Sequence, residues 1–113
     1  MSESTPLENR RCIVCNDTTP GLNASEVEQM LTQLSGWQRS GDKQISKTYK
    51  FKDHYETMAF VNALVWISHR EDHHPDLAIG YNSCQVTYWT HTVNGLSIND
   101  FICAAKVDAL IRS

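Results

Sequence analysis

The feature that most constrains this chain is a proline placed directly after two histidines at the end of a long helical repeat, in His69-Arg-Glu-Asp-His-His-Pro-Asp76. Upstream, Asp53 and Glu56 have the spacing of a capping box, and Met58, Val61, Asn62, Val65 and His69 recur at steps of three and four. That repeat predicts a long helix with those residues on one face. Pro75 disfavours helical geometry at His74, so the helix is expected to stop there and to leave its imidazoles at a C-terminal mouth.

The same eight residues hold three of the chain's five histidines together with Glu71, Asp72 and Asp76. Histidine is the side chain whose ordinary pKa lies near neutrality, so imidazoles set beside carboxylates make an acid/base site. No other stretch concentrates as much proton-transfer capacity.

The flanking patterns supply the rest of the architecture. Asn23 and Glu26 have capping-box spacing, Leu22 and Val27 are placed for a hydrophobic staple, and Val27, Met30, Leu31 and Leu34 mark one face of a first helix ending near Ser35-Gly36. After the Ser40-Gly-Asp turn, Ile45, Lys47, Tyr49 and Phe51 alternate with Gln44, Ser46, Thr48 and Lys50, which predicts a hairpin. Beyond Pro75 come a short apolar piece from Leu77 to Tyr81, an Asn82-Ser83 turn and a strand from Cys84 to His91. In that strand Gln85, Thr87, Trp89 and His91 point one way, and Cys84, Val86, Tyr88 and Thr90 the other. Asn94-Gly95 makes a turn, Ser97 and Asp100 open a third helix, and Ile98, Phe101, Ala105 and Ala109 form its stripe. The order α-β-β-α-β-β-α predicts an α+β fold: a four-stranded, mainly antiparallel sheet with three helices packed on one face.

Residues 1–21 show no helical or alternating pattern and are expected to be a mobile N-terminal arm with little chemistry, leaving residues 22–113 as a single α+β domain. A length of 113 residues suits one domain, and a net charge of -3 gives no reason to expect nucleic acid or membrane as a partner. With no apolar run long enough for a span or a signal peptide, the expected location is cytoplasmic. Cys12, Cys15, Cys84 and Cys103 are expected as free thiols. The lone C-x-x-C at Cys12 and Cys15 lacks a matching second pair, so no metal is expected.

His73-His74-Pro75, Tyr81 six residues on, His91 ten further and Asp100 nine beyond that together resemble the signature of pterin-4a-carbinolamine dehydratases. Gly36-Trp37, Tyr49-Lys-Phe-Lys-Asp53 and Gly95-Leu-Ser97 add to the likeness, which spans nearly the whole folded part. The resemblance implies dehydration of a 4a-hydroxytetrahydropterin to a quinonoid dihydropterin, the recycling step for the cofactor of aromatic amino-acid hydroxylases. It implies His73, His74 and His91 as catalytic residues, with His73 and His91 the acid/base pair and His74 assisting. Trp37, as a flat wall for the ring, His69 and Asp100 are expected at the substrate, with no cofactor, and the resemblance suggests a homodimer or homotetramer. Two imidazoles suffice for such chemistry, since one protonates the departing hydroxyl while the other accepts a ring-nitrogen proton. His69 departs from the family pattern, which often has an acid four positions before the first histidine of the pair; here the acids stand at Glu71 and Asp72.

Each candidate also has a structural role to fill. The histidine pair suits a helix C-terminus, Asp100 suits the Ser97 capping box, and Trp37 suits a core. Animal members of the family act also as dimerisation cofactors of a transcription factor, so the alternative function is a protein-binding module on the same fold. A zinc site made by His69, His73, His74 and His91 is disfavoured by the proline and by the missing Glu of an H-E-x-x-H order.

Overall fold

The computed structural model describes residues 5–16 and 18–111. Its elements run α1 (Ala24–Leu31), β1 (Gln38–Ser40), β2 (Gln44–Lys50), α2 (His54–Glu71), β3 (Asp76–Ile79), β4 (Ser83–Tyr88) and α3 (Ile98–Ile111), with single 3-10 turns at Leu7–Asn9 and His91–Val93. This is the expected order and the expected α+β class. The strands lie in the order β1-β2-β4-β3 and every neighbouring pair is antiparallel.

Register follows the hydrophobic alternation. Ile45 pairs with Tyr88, Tyr49 with Cys84 and Leu77 with Val86. Ile45, Tyr49, Cys84, Val86 and Tyr88 therefore share the face that the helices cover, and all five are buried. Ser46, Thr48, Gln85 and Thr87 occupy the opposite, polar face. A one-residue slip would exchange the two sets, which is why the pattern specifies the pairing.

The helices differ in detail from expectation. α1 keeps its Asn23–Glu26 capping box but ends at Leu31 rather than at Ser35-Gly36. Thr32 Oγ1 donates to Gln29 O at 2.6 Å, and the chain then turns through Gly36 at a φ of +82°. A Cβ on Gly36 would approach Lys47 Cε to 3.1 Å, so both backbone and space favour glycine.

α2 is capped by Asp53, whose carboxylate accepts from Glu56 N at 2.9 Å. Its buried stripe is Thr57, Phe60, Val61 and Leu64. Val65, expected on the inner face, is 53% exposed, and Asn62 and His69 are also exposed. The aromatic packing decides this rotation, because Phe60 sits 4.7 Å from Tyr49 and 5.1 Å from Phe51 between ring centroids. The helix also stops earlier than Pro75 alone requires. Asp72 takes a left-handed φ of 53°, and both its N–H and that of His73 donate to Ser68 O.

α3 is apolar around most of its circumference. Phe101, Ile102, Cys103, Ala104, Ala105 and Val107 are all buried, since α2 and the Leu7–Asn9 turn pack on the helix. Within residues 1–21, read from the sequence as an N-terminal arm, the described residues 5–16 lie against the helices. Leu7 is buried and Lys106 Nζ donates to Glu8 O at 2.9 Å. β4, expected to reach His91, ends at Tyr88, and His91 opens the 3-10 turn that leads toward α3.

Candidate active site

The site forms where the end of α2, the end of β4 and the start of α3 meet. Asp100 lies in the first turn of α3 with 0% of its surface exposed. Its Oδ2 accepts from Ser97 N at 3.0 Å and from Thr90 Oγ1 at 2.8 Å. Asn99 N donates to Ser97 Oγ at 3.2 Å, so the expected capping arrangement is present. Thr90 reaches this place because the Asn94 turn, left-handed at a φ of 52°, folds it onto Gly95, with Thr90 N donating to Gly95 O at 2.7 Å.

The second oxygen of Asp100 serves a different purpose. Oδ1 stands 2.7 Å from His73 Nε2. With Oδ2 already accepting two bonds, the short contact at Oδ1 fits His73 donating its Nε2–H to a carboxylate. That bond selects the tautomer and leaves Nδ1 as the ring atom available to a ligand. His73 is 12% exposed at its side chain. Its ring lies nearly parallel to that of Tyr88, at 5.7 Å and 9°. Burial holds the Tyr88 phenol well above its ordinary value, so it stays neutral behind the histidine.

In front of His73 a cavity of about 210 Å³ opens, walled by Asp72, His73, His74, Trp89, Thr90, His91 and Thr92. His74 and His91 are both exposed, with ring centroids 6.3 Å apart. His91 stacks on Trp89 at 3.8 Å, and Trp89 Nε1 donates to Asp76 Oδ2 at 3.3 Å. Three imidazoles, two of them open to solvent and one backed by a buried carboxylate, thus share one concave surface. Such a surface is able to give and take protons at separate positions on one small ligand.

The fold brings together His73, His74 and His91, the three histidines that the resemblance implies as catalytic. Asp100 joins them from behind His73, not as a wall of the cavity. His69 points elsewhere, beside Trp66 at 5.7 Å on the exposed side of α2. The helix has already ended at Glu71, so the one-turn relation between His69 and His73 is not formed. Trp37 is buried on the far side of Tyr88, its Nε1 donating to Asp108 Oδ2 at 3.1 Å. The aromatic beside the histidines is Trp89. Its signal was present in the strand pattern, which puts Trp89 on the same side as His91. Thr90 had no such signal, because its part depends on a buried hydroxyl meeting an aspartate ten residues away.

Comparison with known proteins gives the family of this chain. The family model described as pterin 4 alpha carbinolamine dehydratase matches residues 20–110. A protein of Nitrosomonas europaea named "Putative pterin-4-alpha-carbinolamine dehydratase" is 54% identical over 114 residues, covering 100% of both chains. One of the same name from Nitrosospira multiformis is 55% identical over 106 residues, covering 94% of this chain and 93% of its own. Among solved structures, the transcriptional coactivator/pterin dehydratase of Brucella melitensis superposes with a TM-score of 0.78 at 33% identity, over 81% of this chain and 99% of its own. A pterin dehydratase-like protein identified as a RuBisCO assembly factor in the alpha-carboxysome gives 0.60 at 26% identity, over 70% of this chain and 93% of its own. The chain belongs to the pterin 4 alpha carbinolamine dehydratase family.

Proposed function

We propose that this protein dehydrates a 4a-hydroxytetrahydropterin to a quinonoid dihydropterin and water, with His73 as proton acceptor and His91 as proton donor. The observation that carries the reading is the His73–Asp100 pair opening into a cavity shared with His74 and His91. The reaction breaks the C4a–O bond and one ring N–H bond. His91 protonates the departing hydroxyl, which leaves as water, while His73 takes the ring-nitrogen proton and Asp100 stabilises the imidazolium. Proton exchange with solvent through the exposed His91 and His74 resets both rings. His74 binds the ring edge, and Trp89 holds His91 in place by stacking. Two imidazoles cover both proton transfers, so the proposed chemistry calls for neither metal nor organic cofactor.

A carbinolamine-dehydration assay tests this directly. His73→Ala and His91→Ala are each expected to lower kcat about 10²- to 10⁴-fold with the fold retained. His74→Ala is expected mainly to raise KM. Turnover near wild type in both of the first two variants would refute the assignment.

The reading extends to a cytoplasmic role beside an aromatic amino-acid hydroxylase that supplies the carbinolamine. A second reading, a protein-binding module, is favoured by the outer side of α2, where Tyr55, Val65 and Trp66 are 86%, 53% and 61% exposed. Such a surface also suits a homodimer or homotetramer. Dehydratase turnover by the isolated protein separates an enzyme from a module that only binds.

A further inference from the structure

We infer that residues 11–15 are a strap forming a second wall of the substrate cavity, where they receive the substituent carried by the pterin ring. The inference rests on the substrate class proposed above. The strap lies outside residues 20–110, the part of the chain matched by the family model.

Its main chain is clamped at two points by buried polar side chains. Asn99, 4% exposed, accepts from Ile13 N at 2.8 Å and donates to Ile13 O at 2.7 Å. Glu71, 4% exposed at its side chain, accepts from Cys12 N at 2.8 Å and pairs with Arg11 Nε at 3.0 Å. Burial by itself would raise the Glu71 carboxyl. The Cys12 N–H together with Lys106 and Arg11 outweighs it and holds the group below its ordinary value, so the clamp is charged near neutral pH. On the inner side, Cys12 Sγ meets Cys103 Sγ at 3.5 Å.

Both anchors adjoin the proton-transfer groups in the chain. Glu71 precedes Asp72 and His73, and Asn99 precedes Asp100. Between the strap and His73 the packing is open, leaving a space of about 280 Å³ bordered by residues 12–15 on the strap side and by Glu71, Asp72, His73, Thr90, Thr92 and Asn99 opposite. His73, Asp72, Thr90 and Thr92 border this space and the histidine cavity alike, so the two adjoin around His73. Were the strap only a cover for α3, tight contact with His73 would be expected instead of a cavity. The two sides differ chemically. The histidine side offers rings that exchange protons, as the reacting part of the pterin requires, whereas residues 12–15 offer thiols, aliphatic groups and main chain without formal charge. An uncharged side chain on the ring matches that wall.

The test compares two carbinolamines, one with a methyl group and one with a dihydroxypropyl chain at ring position 6. Asn99→Ala releases the strap, and Cys15→Phe fills the space while keeping both main-chain clamps, at the loss only of the Asn99 Nδ2–Cys15 Sγ contact at 3.5 Å. Each is expected to lower the ratio of kcat/KM for the longer substrate over the shorter one by about 10-fold. Wild-type ratios in Cys15→Phe would overturn the assignment even if Asn99→Ala failed to fold. Should the wild type dehydrate neither compound, the substrate class itself is wrong and the strap assignment falls with it. A wild type that turns over both compounds, beside variants with unchanged ratios, condemns the strap alone.

Discussion

Asp100 and Asp108 lie about two turns apart on α3, and each gathers three donors, yet only Asp100 holds an imidazole. Asp100 takes Ser97 N, Thr90 Oγ1 and His73 Nε2. Asp108 takes Trp37 Nε1 at 3.1 Å, Lys47 Nζ at 2.8 Å and the Tyr49 hydroxyl. An indole N–H does not titrate, and burial followed by the Asp108 hydrogen bond pushes the Tyr49 phenol far above its ordinary value. The indole and the phenol therefore keep their protons at neutral pH, and the cluster ties β2 and the residue before β1 to α3. The Asp100 cluster includes an imidazole that faces a cavity. In the proposed reaction it is that imidazole, set where a ligand is able to reach it, that gives Asp100 a part in catalysis.

Exchanging charge for amide at each aspartate is the strongest way to break that contrast. Asp100→Asn is expected to lower kcat by about 10²- to 10⁴-fold, because the ring loses the charge that supports its protonated form. Asp108→Asn should leave kcat near wild type and instead lower the midpoint of urea unfolding. For Asp108→Ala a loss of about 2–3 kcal/mol is expected, since three donors lose their acceptor. Equal losses of kcat in the two Asn variants would erase the distinction.

The two tryptophans sharpen the contrast with a smaller effect on turnover. Trp37→Ala should cost about 3–5 kcal/mol in unfolding free energy, as for a large aromatic removed from a core. Trp89→Ala should cost less stability and raise KM roughly 10-fold by freeing His91. Denaturant curves and steady-state kinetics on both variants give the comparison.

The smallest effect is the pH dependence of stability at alkaline pH. In the unfolded chain a tyrosine ionises near about pH 10, whereas in the folded chain Tyr49 keeps its proton well beyond that. Its contribution is fully present below the unfolded value and is lost progressively as pH rises above it, by about 1.4 kcal/mol per pH unit at most. Tyr49→Phe should make the decline between about pH 10 and 11 shallower, measured by urea unfolding at each pH. Tyr88, buried as well, contributes a decline of the same sign that remains in the variant.

Much of the fold was legible because its signals are local. The capping pairs Asn23 with Glu26, Asp53 with Glu56 and Ser97 with Asp100 each lie within one helical turn, and all three mark helix starts in the structure. The alternation through Cys84, Val86 and Tyr88 reads directly as a half-buried strand. Where one face of a helix had to be chosen, local spacing was not enough. Val65 and Leu64 are both apolar, and contact of Phe60 with Tyr49 and Phe51 turned Leu64 inward and left Val65 exposed. The same reason accounts for the tryptophans. Each is a large aromatic near a strand, and only the packing put Trp37 on Asp108 and Trp89 on His91.

The amino-acid order by itself determined the succession of helices and strands, the inward and outward faces of β4, and the placing of His73 and His74 just past the end of α2. Those properties depend on neighbours within a few residues, where chain geometry dictates who meets whom. The tertiary structure alone decided that Asp100 backs His73 across 27 residues, that His69 is left outside, and that Ile13 is clamped by Asn99 across 86. Such contacts form only when the buried faces of the sheet and the helices close on one another. Their partners are selected by the shape of the shared core and by the need to satisfy buried polar groups, neither of which is written in any short stretch of chain.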